Sequence, residues 1–218
     1  MRAFHRITAT SLLLVTTLST LGYFLWYKPK FSVKPGKGAF GFKKNKFDEP
    51  VILRLKEKAS RLSQYAANNG FNTTRCFLVD MKLASGKPRF FVYNLQQDSI
   101  ESKGLVAHGS GSDRGSDELY FSNAPNSNCT SLGKYRIGKP YMGKFGLAYK
   151  LYGLDETNNK AFERFVVLHS HSCVPNSEIY PVQLCESWGC PTVAPAFLNE
   201  LKAVIDRSPK PVLMWIYY

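Results

Sequence analysis

The stretch from Phe165 to Pro191 reads FVVLHSHSCVPNSEIYPVQLCESWGCP, and its opening run decides what kind of fold surrounds it. Phe165 to His169 is a short apolar run ending in a loop of Ser, Pro and Asn, which predicts a strand that delivers the imidazole of His169 to a sheet rim. Similar short apolar and aromatic runs lie outward from it, at Cys76–Met81, Phe90–Leu95, Leu105–His108 and Val212–Tyr217, separated by Gly, Pro, Asn and Ser clusters. Two segments carry a helical period instead. From Glu49, residues Ile52, Leu55, Ala59, Leu62 and Ala66 share one face, with Lys56, Lys58 and Arg61 opposite and Asn69-Gly70 as a stop. From Pro195 to Arg207, Phe197, Leu198, Leu201, Val204 and Ile205 form a second stripe. No repeat and no strand-helix alternation is present, so the expected class is mainly β, α+β, with one or two covering helices.

The chain has 218 residues, 44% apolar, 14% aromatic and 21% charged, which suits one domain with a core and excludes a disordered or collagen-like protein. Its net charge of +13 is unevenly placed: residues 1–66 hold 13 basic and 3 acidic side chains, residues 67–218 hold 16 and 13. A nucleic-acid reader needs its basic face on the folded domain, so that class is excluded. Ile7 to Tyr27 contains no charge and follows Arg2 and Arg6. Since about 20 apolar residues cross a bilayer as a helix, residues 1–27 are expected to be a signal or membrane anchor. Only Thr20-Leu21-Gly22 approximates a cleavage site, which favours an uncleaved anchor. Residues 28–48, with seven lysines from Lys28 to Lys46 among Pro29, Pro35, Gly36, Gly38 and Gly41, read as a basic linker, or as a segment adhering to an anionic membrane or wall polymer. By the positive-inside rule those lysines pull the other way, toward a cytoplasmic domain over 49–218.

Reactive side chains are densest between His169 and Cys190. A thiol attacks as thiolate, so Cys190 with a neighbouring imidazole is the minimum equipment for cysteine acyl transfer. Gly189 lets backbone amides approach a reacting carbonyl, and the amides of Trp188, Gly189 and Cys190 are candidate oxyanion donors. His171 is a rival base, two residues beyond His169. The same region also admits a zinc set of His169, His171, Cys173 and Cys185 or Cys190. His108 ends a strand and either lines a groove or bonds a loop carbonyl. The Gly109–Ser112 and Asp113–Glu118 loops lack the Lys-Ser/Thr of a phosphate loop. Tyr141, Tyr149 and Tyr152 are aromatics for a sugar or peptide, or for the core.

Val167-Leu168-His169 followed by Ser187-Trp188-Gly189-Cys190-Pro191 resembles the signature of the murein L,D-transpeptidase catalytic domain family, the cysteine enzymes that cross-link peptidoglycan. Leu78-Val79-Asp80, Val106-Ala107-His108-Gly109, the run Phe121 to Ser127 and Ser131-Leu132-Gly133-Lys134-Tyr135 resemble the same branch in order and spacing, so the resemblance covers about residues 50 to 218. Trp188 stands where most of the wider family has His, and Ser170 where it has Gly.

The resemblance implies a β-sandwich of the L,D-transpeptidase type and a mechanism. Cys190 would attack the amide before the terminal D-Ala of a stem tetrapeptide, with His169 as base and Ser170 or a backbone carbonyl orienting it. An acceptor amine would then resolve the acyl-enzyme into a 3-3 cross-link. His108, Ser187, His171 and Tyr141 would bind substrate. Neither metal nor nucleotide is required, the partners are peptidoglycan stems and the membrane, and the place is the periplasmic side of a bacterial envelope. Water as acceptor would make the chain an L,D-carboxypeptidase. A wall-binding module without turnover and a zinc peptidase are the other readings. Outside the cytoplasm, four of the five cysteines can pair as Cys173–Cys185 and Cys76–Cys129, leaving Cys190 free; the alternative is ordinary buried thiols.

Overall fold

The computed structural model describes residues 48–218 apart from Asp117, together with Thr17, Thr20, Leu21, Tyr23 and Leu25. The expected anchor or signal over 1–27 and the linker over 28–48 lie, but for those positions and Asp48, outside the described residues. Among the described residues no helix is long and apolar enough to cross a membrane.

Helix α1 spans Glu49–Asn68, with Pro50 in its first turn, where a missing N–H costs nothing. Its buried stripe is Val51, Leu55, Ala59, Leu62 and Ala66, stepping by four, four, three and four residues, so Val51 takes the place expected for Ile52, which is only half-buried. Full burial of Leu55 and Leu62 contributes about 1.5–3 kcal/mol each.

Nine strands follow: β1 (Arg75–Asp80), β2 (Phe90–Asn94), β3 (Ser99–Gly104), β4 (Val106–Ala107), β5 (Gly133–Gly143), β6 (Gly146–Gly153), β7 (Val167–Ser170), β8 (Thr192–Val193) and β9 (Leu213–Tyr217). Helix α2 (Pro195–Asp206) lies between β8 and β9. They form one sheet in the order β3-β2-β1-β9-β5-β6-β7-β8-β4. Its two edge strands, β3 and β4, are separated in the chain by Leu105 alone, so the sheet must curl until its edges nearly meet. One face encloses a core built on Phe77, Val79, Phe90, Tyr135, Tyr149 and Leu151 and filled by Phe197, Leu198 and Leu201 of α2. The other face, with Cys76, Leu78, Phe91, Tyr93 and Leu213, packs under α1. The mainly β architecture expected with one or two covering helices is therefore the observed one, with two such helices among the described residues.

The β5–β6 hairpin and the polar edge strand β3 have no counterpart among the strands expected from sequence. Lys134, Arg136, Lys139 and Lys150 mask the alternation that puts Gly133, Tyr135 and Ile137 inside, and Pro140 argues against a strand. Pro140 is accommodated because the register shifts between Ile137 and Pro140. The strand expected from Phe165 begins at Val167, since Phe165 has a positive φ of 56° and turns the chain into the sheet. Cys173 and Cys185 are bridged, whereas Cys76 and Cys129 are free and buried. The second expected pair does not form: Cys76 belongs to the core beneath α1, while the Cys129 thiol faces the Ser127 carbonyl.

Candidate active site

Strand β7 places His169 between two partners, with Ala148 of β6 on one side and Thr192 of β8 on the other, so its backbone is fixed within the sheet. Its Nδ1 lies 3.1 Å from the Ser170 carbonyl. A carbonyl only accepts, so Nδ1 carries the hydrogen and Nε2 keeps a lone pair, to which the Thr192 hydroxyl donates at 3.0 Å. The ring stacks on Phe145, centroids 5.2 Å apart and 18° between planes. Burial holds the imidazole below its ordinary pKa, helped by His171 and opposed by the Ser170 carbonyl, so the ring is neutral near neutral pH. The group of Ser170 that touches the imidazole is thus its backbone carbonyl.

Cys190 sits where the 187–190 turn enters β8. Its Sγ accepts from the Val167 N–H at 3.4 Å and points its hydrogen at the Phe165 carbonyl, 3.8 Å away. Burial pushes the thiol up, against the Val167 N–H and the Arg164 charge, which both favour the thiolate. Thiol and imidazole therefore rest as neutral groups on the walls of one cleft of about 200 Å3, each held by neighbours rather than bonded to the other. His171 also lines this cleft, accepting from the Cys173 N–H and meeting Phe145 edge-on.

The turn is locked from within. Ser187 Oγ donates to the Cys190 carbonyl at 2.7 Å and accepts the Gly189 N–H at 3.1 Å. Backbone bonds from Ser187 to His108 and from Ser110 to Ser187 pin it to the end of β4. Of the three amides expected at an oxyanion, Gly189's is thus engaged by Ser187, and those of Trp188 and Cys190 have no partner among the described residues. Gly189 has φ 104°, and a Cβ there would lie 2.7 Å from the Cys129 carbonyl oxygen. Gly189→Ala is accordingly expected to lose about 2–3 kcal/mol of stability, read by denaturant titration, and to displace the Cys190 amide.

Of the other residues singled out by sequence, Trp188 stands at the cleft mouth, 79% exposed. Tyr141 lies along the β5–β6 hairpin under Lys150 and does not line the cleft, whereas Phe145 at the hairpin tip does. His108 is buried and its ring opens on a different cavity. The zinc set is dismantled, because Cys173 and Cys185 are joined to each other and both His169 nitrogens are engaged.

Phe145, Thr192 and Arg164 carried no signal in the sequence. Arg164 donates to the carbonyls of Ser122 (3.0 Å) and Cys129 (2.8 Å) and to the hydroxyls of Ser127 and Ser131, beside Gly189 and Cys190. Removing its charge raises the thiol pKa further. Arg164→Gln should move the alkaline rise of Cys190 alkylation by iodoacetamide upward in pH, and Arg164→Lys by less.

A family model described as the L,D-transpeptidase catalytic domain matches residues 49–217. No curated protein matches the sequence. Among solved structures, the chain is similar to the L,D-transpeptidase from Xylanimonas cellulosilytica, with 14% identity, 75% of this chain and 77% of that one covered and a TM-score of 0.36. It is also similar to the helical cell shape determining protein Pgp2 from Campylobacter jejuni, with 13% identity, 66% of this chain and 47% of that one covered and a TM-score of 0.39.

Proposed function

We propose, from the premise that this chain belongs to the L,D-transpeptidase catalytic domain family, that it transfers acyl groups between peptidoglycan stem peptides through Cys190 to form 3-3 cross-links. The observation that carries this reading is the placement of one unbridged thiol and one neutral imidazole in the same cleft. In the reaction, Sγ leaves Val167 and Phe165 and attacks the carbonyl before the terminal D-Ala as its proton passes to Nε2 of His169. The Thr192 hydroxyl, 3.4 Å from the Cys190 carbonyl, turns there when Nε2 is protonated. The amides of Trp188 and Cys190 hold the oxyanion. Collapse breaks the C–N bond, the D-Ala amine takes the proton from His169, and a thioester remains on Cys190. An acceptor amine then attacks the thioester, gives a proton to His169, and restores the thiol as the new amide forms.

Trp188 and His171 line the mouth and wall of the cleft, which supports a contact between them and the stem. The Cys173–Cys185 bridge suits an oxidising compartment, which supports an envelope location on the periplasmic side, with residues 1–27 as signal or anchor. The test is incubation of the full chain with a disaccharide-tetrapeptide. Cross-linked dimer with released D-Ala is expected. Tripeptide with D-Ala and no dimer would transfer the reading to the carboxypeptidase, and neither product would overturn it.

A further inference from the structure

A second cavity of about 240 Å3 lies across the wall formed by β4 and the Ser187 turn, and nothing in the proposed reaction uses it. On its floor is Arg89, 1% exposed, whose guanidinium meets only neutral acceptors: the Val106 carbonyl at 3.0 Å, the Leu83 carbonyl at 3.2 Å and His108 Nδ1 at 2.9 Å. A buried guanidinium with spare N–H groups and no carboxylate bonded to it is costly, which makes it receptive to an anion. Lys82 is a second cation on the same wall.

His108 is 2% exposed, and its Nε2 is buried without a hydrogen-bond partner. Guanidinium nitrogens cannot accept, so the Arg89 bond makes Nδ1 the acceptor and puts the hydrogen on Nε2. Burial and the Arg89 charge, against Asp113, hold this ring down to about 4, so it stays neutral at physiological pH. Nε2 lies 3.9 Å from Glu186 Oε1, and one oxygen each of Asp113 and Glu186 falls with a His108 ring nitrogen inside a span of 4.8 Å. Three such groups suggest a metal centre, but a nitrogen that carries hydrogen has no lone pair for a metal, and the Arg89 bond blocks the other tautomer.

What the cluster presents is therefore donors and cations close beside carboxylates. A ligand that satisfies both bears a carboxylate and an ammonium a few ångströms apart. We infer that this cavity is a binding site for a zwitterionic α-amino-acid head group, its carboxylate on Arg89 and the His108 Nε2–H, its ammonium on Asp113. Glu186 lines the catalytic cleft rather than this cavity, four residues before Cys190, and its Oε1 lies 3.9 Å from His108 Nε2, so an occupied site would adjoin the reactive turn. The site stands apart from the transpeptidase reading, because binding requires no turnover.

The test is calorimetric titration of the full chain and of its Cys190→Ala variant with D-alanine, N-acetyl-D-alanine, D-alaninamide, meso-diaminopimelate and Zn²⁺. D-Alanine is expected to bind both proteins equally, and the two blocked analogues at least about tenfold more weakly, since each leaves one charged side unpaired. Asp113→Asn should weaken D-alanine by a similar factor while leaving the preference for a free carboxylate intact. Binding of D-alanine alone assigns the site to the free amino acid. Binding of meso-diaminopimelate as well assigns it to head groups that a stem peptide also carries. Equal binding of the blocked analogues, no binding of any amino acid, or Zn²⁺ binding that His108→Gln abolishes would each overturn the inference. Loss of transpeptidation in Cys190→Ala with D-alanine binding retained separates its fate from that of the proposed reaction.

Discussion

Cys190→Ala is expected to abolish the covalent adduct that a carbapenem leaves on the wild-type chain, and to slow turnover of a stem tetrapeptide by about 10³-fold or more. The size follows from the role, because no other group in the cleft is positioned to form a thioester. The chain itself supplies the controls. Cys173 and Cys185 are bridged, Cys76 is 1% exposed with its thiol pushed far up by burial, and Cys129 is 1% exposed behind Ser127. A single adduct on intact wild-type protein therefore reports Cys190 alone. Because Sγ rests on a backbone amide and a carbonyl, removing it breaks one weak N–H···S and one long S–H···O contact and leaves the Ser187 lock of the turn in place. The melting temperature should consequently change little, and a folded variant without adduct is the expected pair of results. An adduct of undiminished size on folded Cys190→Ala would remove Cys190 from the mechanism.

The features legible in the sequence are those whose chemistry is local. The period of α1, the apolar runs of β1, β2 and β9 and the Cys173–Cys185 pair survive in the structure, and His169 and Cys190 line one cleft. Features made by long-range contact left little trace. The β5–β6 hairpin alternates charged with aromatic residues because its outward face meets solvent, and Pro140 sits at a shifted register that no local pattern announces. Phe145 reaches the cleft because that hairpin ends beside β7, and Arg164 matters because it collects carbonyls from residues 122–131 around Gly189. The Arg89–His108 pair likewise joins the residue before β2 to the residue after β4, with one neutral ring nitrogen engaged and the other buried without a hydrogen-bond partner.

His169→Gln should reduce acylation by about 10²- to 10⁴-fold, the range for removing a positioned general base, and should erase the acid limb of its pH profile. The direction of that limb follows from the structure. Only the neutral imidazole accepts the thiol proton, and burial lowers the pH at which the ring charges, so wild-type acylation should persist below the ordinary imidazole value of about 6.5 before it falls. Stability has the same sign: the unfolded chain binds a proton at His169 and at His108 before the folded one does, so their neutral burial is fully compatible with folding above about pH 6.5, and stability is lost as the pH falls toward their depressed values. His169→Gln removes one of the two contributions, and its melting temperature should depend less steeply on pH below about 6.5. His171→Gln is the discriminating control, since that ring lines the same cleft but accepts a backbone amide through Nδ1. If His171→Gln lost the acid limb while His169→Gln kept both rate and limb, the base would be His171, and the Ser170 carbonyl and Thr192 would be holding a ring that takes no part in the proton transfer.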